Sequence, residues 1–356
     1  MAVFTQIDNS ELWFQVKLYT GSGANQSITL DGSEDMQPDL VWLKTRNNTN
    51  NQVWTDSVRG VEKVILSNAV NAEATYTDGL TAFNSDGFSL GDDDDGQMNV
   101  NTAPHVAWCW KAGTAFSNDA SATSVGNTDS NGSASSTAGF SIAKWVGAGS
   151  STDIEVKHGL SVKPAVMLVK NISASANWRD YHVSQGNTKA AALNSSGEQA
   201  VVDSGFWNDT TPTSSVFTIG SGYADSTNAS GNNFISYLWA GKQGYSKFGS
   251  YTGNGNANGP YIHLGFRPAM IIVKSATETR NWRLWDNKRS TFNLTDEILY
   301  PDLSNAEATG DSEIDMLSNG FKLRKNSDNT SGETYIYMAF AEQPFVNSKG
   351  VPANAR

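Results

Sequence analysis

The sequence predicts an all-β protein made of three tandem β-sandwiches, jelly-roll or lectin-like, of about 100 residues each. Three observations predict it. Gly, Ser, Thr, Asn and Asp cluster between short apolar runs, and nine prolines leave little room for long helices; this is the texture of many short strands joined by tight turns. One phrase occurs three times, as "PDLVWLK" at 38–44, "PAVMLVK" at 164–170 and "PAMIIVK" at 268–274. Around it, further landmarks return in one order, the mark of an internal repeat.

Each copy opens on an aromatic-x-Gly-x-Gly turn, "YTGSG" at 19, "WVGAG" at 145 and "YTGNG" at 251. From its first glycine to the proline is 17, 17 and 15 residues. The phrase itself carries apolar residues without alternation, too short for a helix and suited to a strand covered on both faces. Pro38, Pro164 and Pro268 sit where a strand can begin without losing a ladder bond, and Lys44, Lys170 and Lys274 return the chain to solvent. A tryptophan and an aspartate follow: Trp54 and Asp56, Trp178 and Asp180, Trp282 and Asp286. A strand-like phrase comes next, "SDGFSLG", "SSVFTIG" and "SNGFKLR", its phenylalanine 50, 53 and 53 residues after the proline. An aromatic strand closes each copy, "VAWCW" at 106, "ISYLW" at 235 and "IYMAF" at 336, and supplies bulk to the core.

The boundaries follow: an arm at 1–13, sandwiches at 14–113, 139–241 and 245–343, and a tail at 344–356. Residues 114–138, rich in Ser, Ala, Asn and Gly, read as a flexible linker or exposed loop, with too little apolar surface to order themselves. The copies at 139–241 and 245–343 are joined so briefly that they must pack together. Segment 60–76 is the best helix candidate, with Val61, Val64 and Ile65 at helical spacing.

A formal net charge of -11 argues against nucleic acid and anionic lipid as partners. Neither a signal peptide nor an apolar run long enough to span a membrane is visible. The one cysteine, Cys109, excludes a disulfide framework. Four carboxylates, Asp92, Asp93, Asp94 and Asp95, are a calcium candidate by donor type, but the other copies lack them and the spacing fits no ligand loop, which favours a solvated loop. Asp56, Asp180 and Asp286 suggest paired glycosidase carboxylates; recurrence in every copy favours a turn or hydrogen-bonding role. His105, His158, His182 and His263 are scattered, with no metal-ligand spacing, and no cofactor motif appears. Trp13, Trp145 and Trp207 lie beside polar or Gly-rich stretches and are candidate platforms for a sugar ring. Loops 91–105, 220–234 and 324–335 hold one position in each copy, differ in all three, and are the expected contact surfaces.

The phrases "GFSIAKWVGAGSSTDIEVKHGLSVKPAVMLVK", "NWRDYHVSQG", "YSKFGSYTGNGNANGPYIHLGFRPAMIIVK", "DMLSNGFKLR" and "YIYMAFAEQPFVNSKGVPANAR" closely resemble a repeat domain of uncharacterised function found in virion proteins of tailed phages, often marine. The resemblance implies a non-enzymatic virion component, assembled in the host cytoplasm, with other virion proteins and host-surface glycan or protein as partners. Tail fibre or adsorption apparatus is the first expectation and capsid decoration the second; a virion-borne polysaccharide depolymerase is the rival of another class. Homotrimerisation follows by analogy with fibres.

Overall fold

The protein, described as a computed structural model, is defined over residues 5–197, 200–201 and 205–354. Strand accounts for 41% of it and helix for 3%, as the turn-rich texture predicts. Most strands lie in large antiparallel sheets with a recurring order. In the first, Phe14–Thr20 pairs with Pro104–Trp110, which pairs with Leu40–Thr45 and then Val53–Asp56. Phe140–Val146, Asn233–Trp239, Val166–Asn171 and Arg179–His182 follow the same order in the second. Ser246–Thr252, Thr334–Pro344, Phe266–Ser275 and Arg283–Asp286 repeat it in the last. Each large sheet has a small companion: Gln26–Ile28 with Gly87–Leu90 and Leu80–Asn84, Ile154–Lys157 with Val216–Ile219, and Tyr261–His263 with Gly320–Leu323 and Ile314–Leu317.

The thrice-written phrase is apolar throughout because both faces of its strand are covered. Leu40 and Trp42 point into a central cluster shared with Leu168, Tyr237, Trp239, Met270 and Phe340 from the other two large sheets. Val41 and Leu43 point the other way, into a cluster with Ile28, Phe88 and Leu90 of the small sheet. Trp54 packs against Trp178 and Tyr237 at centroid distances of 5.3 and 4.8 Å, and Trp110 against Trp239 and Phe340 at 6.0 and 5.4 Å. The thirds of the chain therefore share one aromatic centre. A single cooperative calorimetric transition is expected; separate melting of the thirds would contradict the shared centre.

Three expectations are corrected. Lys44, Lys170 and Lys274 do not return to solvent: they are buried, each ammonium donating to backbone carbonyls, Lys44 to Thr45 and Asn48, Lys170 to Val70 and Ala176, Lys274 to Ser196 and Ser275. Burial lowers Lys44 and Lys170 to about 8. Segment 60–76 is not helical. Lys63–Leu66 is a strand beside Val53–Asp56, and Val64 and Ile65 are consecutive buried residues because opposite faces of it are covered. Residues 114–138 are no free linker: Thr114–Asn118 and Ser130–Ser135 form a hairpin that extends the second large sheet past Phe140–Val146. Pairing on an existing edge satisfies its backbone without a core of its own. The arm is likewise held, through Ile7 in the central cluster and a backbone bond from Gln6 to Gln243. No helix among the described residues is long and apolar enough to cross a membrane.

Candidate functional site

Strand register defines which residues correspond. Leu40, Val166 and Met270, each two residues past the landmark prolines, pair with Asp56, His182 and Asp286. Hence His182, not Asp180, takes the place of the recurring aspartate. Asp180 stands where Trp54 and Leu284 stand, and Trp178 and Trp282 correspond to Gln52. The matching of Trp54 with Trp178 and Trp282 is out of register by two.

These positions join the thirds in a closed cycle. Asp56 Oδ1 accepts from the backbone of Val58 and Arg59 at 3.0 and 2.9 Å; its Oδ2 accepts from Arg59 Nε at 2.5 Å and from Tyr237 of the middle third at 2.6 Å. His182 performs the same turn with Nδ1, accepting from Ser184 N at 3.2 Å, while Nε2 donates to the Tyr337 carbonyl of the last third at 3.1 Å. Burial lowers its pKa to about 4 and keeps it neutral. Asp286 repeats the pattern of Asp56, with Lys288 N, Arg289 N and Arg289 Nε, and closes the cycle on Trp108 Nε1 of the first third at 3.0 Å. A second cycle runs the opposite way round. Trp178 Nε1 donates to Leu66 O at 2.9 Å, Trp282 Nε1 to Ala192 O at 3.1 Å and Gln52 Nε2 to Tyr300 O. Asp56 and Asp286 are completely buried and ion-paired with Arg59 and Arg289, so they fix neighbouring thirds and face no groove. The catalytic alternative for this pair fails on access.

Asp180 is 2% exposed and has no partner on either oxygen among the described residues. Burial raises its pKa well above the ordinary value, against the pull of Arg179 and Lys274, which favours the protonated carboxyl.

A recurring site absent from the sequence reading lies where the glycine turn meets the loop before the closing strand. Asn99, Asn228 and Asn329 are completely buried. Their Oδ1 atoms accept from Ser22, Ala148 and Asn254 N, each at 2.8 Å. Their amides donate to carbonyls of the same turns: Ala24, Gly149 and Asn256 at 2.7, 3.1 and 2.7 Å. A Cβ on Gly21, Gly147 or Gly253 would stand 2.1, 2.3 or 2.1 Å from the carbonyl of Val100, Ala229 or Thr330, which explains the first glycine of each turn. The available signal was an asparagine five residues ahead of each closing strand. Asn228→Ala is expected to cost about 2–4 kcal/mol in urea unfolding, because it strands several buried backbone groups; Gly147→Ala should cost at least as much through the clash with Ala229 O.

The three tryptophans singled out as sugar platforms fare differently. Trp145 and Trp207 are 2% and 1% exposed: strand alternation turns Trp145 of Phe140–Val146 into the core between the second large sheet and its companion, and a turn carries Trp207 into the same cluster, its indole donating to Lys189 O at 3.0 Å; neither can stack on a ligand. Trp13 is partly exposed and lines an open groove with Lys111, Thr114, Ser136 and Thr137. In the acidic run, Asp93 is buried and its Oδ2 accepts from Met98 N and Asn99 N at 2.7 and 2.6 Å, while Asp92, Asp94 and Asp95 are exposed. Among the described residues no three metal-ligating side chains converge, so the run shapes a loop. Loops 91–105, 220–234 and 324–335 do occupy matching places, anchored by the asparagines, with exposed tips such as Asn101, Ser331 and Gly332.

A family model described as a domain of unknown function (DUF7483) matches residues 9–344, spanning all three thirds. No curated protein and no solved structure matches the chain.

Proposed function

We propose that this chain, which belongs to the DUF7483 family, is a non-enzymatic structural component of a tailed-phage particle, placed in the adsorption apparatus and contacting the host surface. Its architecture on this reading is three copies of one β-sandwich of about 100 residues closed into a pseudo-threefold ring. The recurring strand order and the cyclic hydrogen bonds Asp56 to Tyr237, His182 to Tyr337 and Asp286 to Trp108 support that architecture. The phage assignment rests on the resemblance of the repeat phrases to virion proteins.

The observation that carries a structural role is the completeness of the ring. Asp56, His182 and Asp286, with Gln52, Trp178 and Trp282, are buried and engaged in joining one third to the next, and the exposed loops ride on that frame. A single chain thereby has the footprint of a trimer, which removes the need for homotrimerisation. The same footprint favours one second reading, decoration of the capsid at a threefold position, where a pseudo-threefold body can contact symmetric neighbours with each third.

Cryo-microscopy of the assembled particle tests the proposal. Density for this chain at the tail tip or fibre supports adsorption, density on the icosahedral shell transfers it to capsid decoration, and absence from the particle overturns both. Release of reducing ends from host polysaccharide by the purified chain would establish the depolymerase instead.

A further inference from the structure

The outward faces of the three small sheets can be compared position by position. In each, a buried aliphatic residue pairs with a buried phenylalanine: Ile28 with Phe88, Val156 with Phe217, Ile262 with Phe321. The neighbouring outward pair is Ser27 and Ser89 in the first sheet, Glu155 and Thr218 in the second, and Tyr261 and Lys322 in the last. One residue past the aliphatic stands Thr29, Lys157 or His263. Two of these faces are therefore polar, and the last carries exposed rings.

The last face is also widened. Thr295 and Ile314 exchange backbone hydrogen bonds at 2.8 and 3.1 Å, and the Asn293 side chain bridges the N–H and carbonyl of Met316, both at 2.9 Å. Segment 293–295 thus flanks Ile314–Leu317, and Phe292, just ahead of it, and Leu294, on it, are 78% and 45% exposed. It belongs to a stretch of 12 residues from Asp286 to Ile298, where the corresponding stretches, Asp56 to Val64 and His182 to Ala190, span 8. The extra residues occur in one third only and bring two large apolar side chains into solvent, at a cost to solubility that a fold does not require.

We propose that this face, with Tyr261, His263, Leu317, Phe292 and Leu294 around Lys322 and Asp315, is a platform for a short oligosaccharide. Size decides against a protein partner. Three strands and the flanking segment 293–295, at about 4.8 Å spacing, make a strip about 14 Å across, and the exposed parts of the five side chains cover on the order of 400 Å², about half of the roughly 800 Å² per partner of a stable protein interface. The strip suits a di- or trisaccharide. Its chemistry is mixed in the way a pyranose is mixed: rings and aliphatic groups meet the C–H faces, and among them lie polar groups with bonding capacity to spare for hydroxyls, the Lys322 ammonium, which also donates to Gly259 O at 3.0 Å, the Asp315 carboxylate, paired with Arg324 at 3.0 Å, and the His263 imidazole. The Tyr261 ring is held in place, its hydroxyl donating to Asn319 O at 3.3 Å and lying 3.2 Å from His263 Nδ1. A fixed ring has little side-chain entropy left to lose on binding.

This inference deepens the surface-contact reading and rests on it for its biological sense, but the test separates the two. Saturation-transfer NMR on the full chain, with α- and β-linked trisaccharides of glucose, galactose and N-acetylglucosamine as probes, should show transfer to at least one of them. Tyr261→Ser and Phe292→Ser, both at exposed positions and checked for unchanged circular dichroism, should each weaken that binding at least tenfold. Absence of transfer from the whole panel, or unchanged binding in both variants, overturns the platform. So does a concentration-dependent dimer in sedimentation that Phe292→Ser dissolves, which would assign the patch to self-association. A chain located on the particle but blind to saccharides sinks this inference alone; saccharide binding by a chain absent from particles sinks the particle role alone.

Discussion

Asp180→Leu should raise the melting temperature by several degrees at pH 8 and change it little near pH 4. The position explains the sign. Asp180 occupies the place held by Trp54 and Leu284 in the other thirds, is 2% exposed and has neither oxygen paired among the described residues. Burial raises its folded pKa well above the ordinary carboxylate value, so folding takes up a proton at pH values between the unfolded and the folded pKa. For a group whose folded pKa is raised, its contribution is fully present below the unfolded pKa, near 4, and is lost as pH rises toward the folded value. Each pH unit in that window costs about 1.4 kcal/mol while the buried group stays protonated. Removing the carboxyl removes this slope. His105, His158 and His182, each lowered to about 4 by burial, contribute the opposite slope: their stabilisation is present above the unfolded value near 6.5 and is lost as pH falls toward 4. That loss is common to both proteins and cancels in the difference between them. Asp180→Asn, which keeps the shape, should show the same pH dependence with a smaller gain. Melting curves at pH 4, 6 and 8 decide it; a variant less stable than the parent at pH 8 would mean that the carboxyl is ionised and held.

Asp180 also shows where sequence reasoning reached its limit. The apolar phrases, the glycine turns and the closing aromatic strands were legible because a strand covered on both faces must be apolar at successive positions, and a backbone contact at 2.1 Å from a glycine's missing Cβ admits no other residue. Register was not legible. "WRD" at 178–180 resembles "WTD" at 54–56 by eye, yet the partners of Leu40 and Val166 place His182 opposite Asp56. A histidine and an aspartate can make the same turn, since Nδ1 and Oδ1 both accept from the backbone two residues on, and that equivalence of geometry leaves no common letter. The buried lysines escape for a similar reason: a lysine at a strand end ordinarily reaches water, and only the folded chain brings in the carbonyls that hold it, Val70 O and Ser196 O from the neighbouring third for Lys170 and Lys274, and Asn48 O of its own third for Lys44. The asparagine clamps were hidden because asparagine is the commonplace residue of polar loops. On the candidate site, flanking polarity misleads at Trp145, which strand alternation turns inward, and at Trp207, which a turn carries into the same cluster.

Asp286→Ala should cost about 3–5 kcal/mol, the largest loss expected from a single polar side chain here. The Asp286 and Arg289 side chains are both 0% exposed and meet at 2.6 Å. Arg289 also reaches Glu307 Oε2 at 3.0 Å and donates to Leu284 O at 3.0 Å. Truncating Asp286 leaves the guanidinium buried with half of its compensation and leaves Trp108 Nε1 without an acceptor. Replacing both charges, as Asp286→Leu with Arg289→Met, should recover much of the loss, because two apolar side chains of similar volume avoid the desolvation that the pair must offset. Trp108→Phe, which removes one hydrogen bond and part of a ring, should cost less than Asp286→Ala if the ion pair dominates the contact. These comparisons also probe the ring itself. Asp286 belongs to the last third and Trp108 to the first, so a closed ring shifts the one unfolding transition of the whole chain to lower urea with an undiminished slope. If the last third instead unfolded alone, the slope would fall and a second transition would appear, and the contact between Asp286 and Trp108 would then be an ornament of three independent domains, not the bond that closes them.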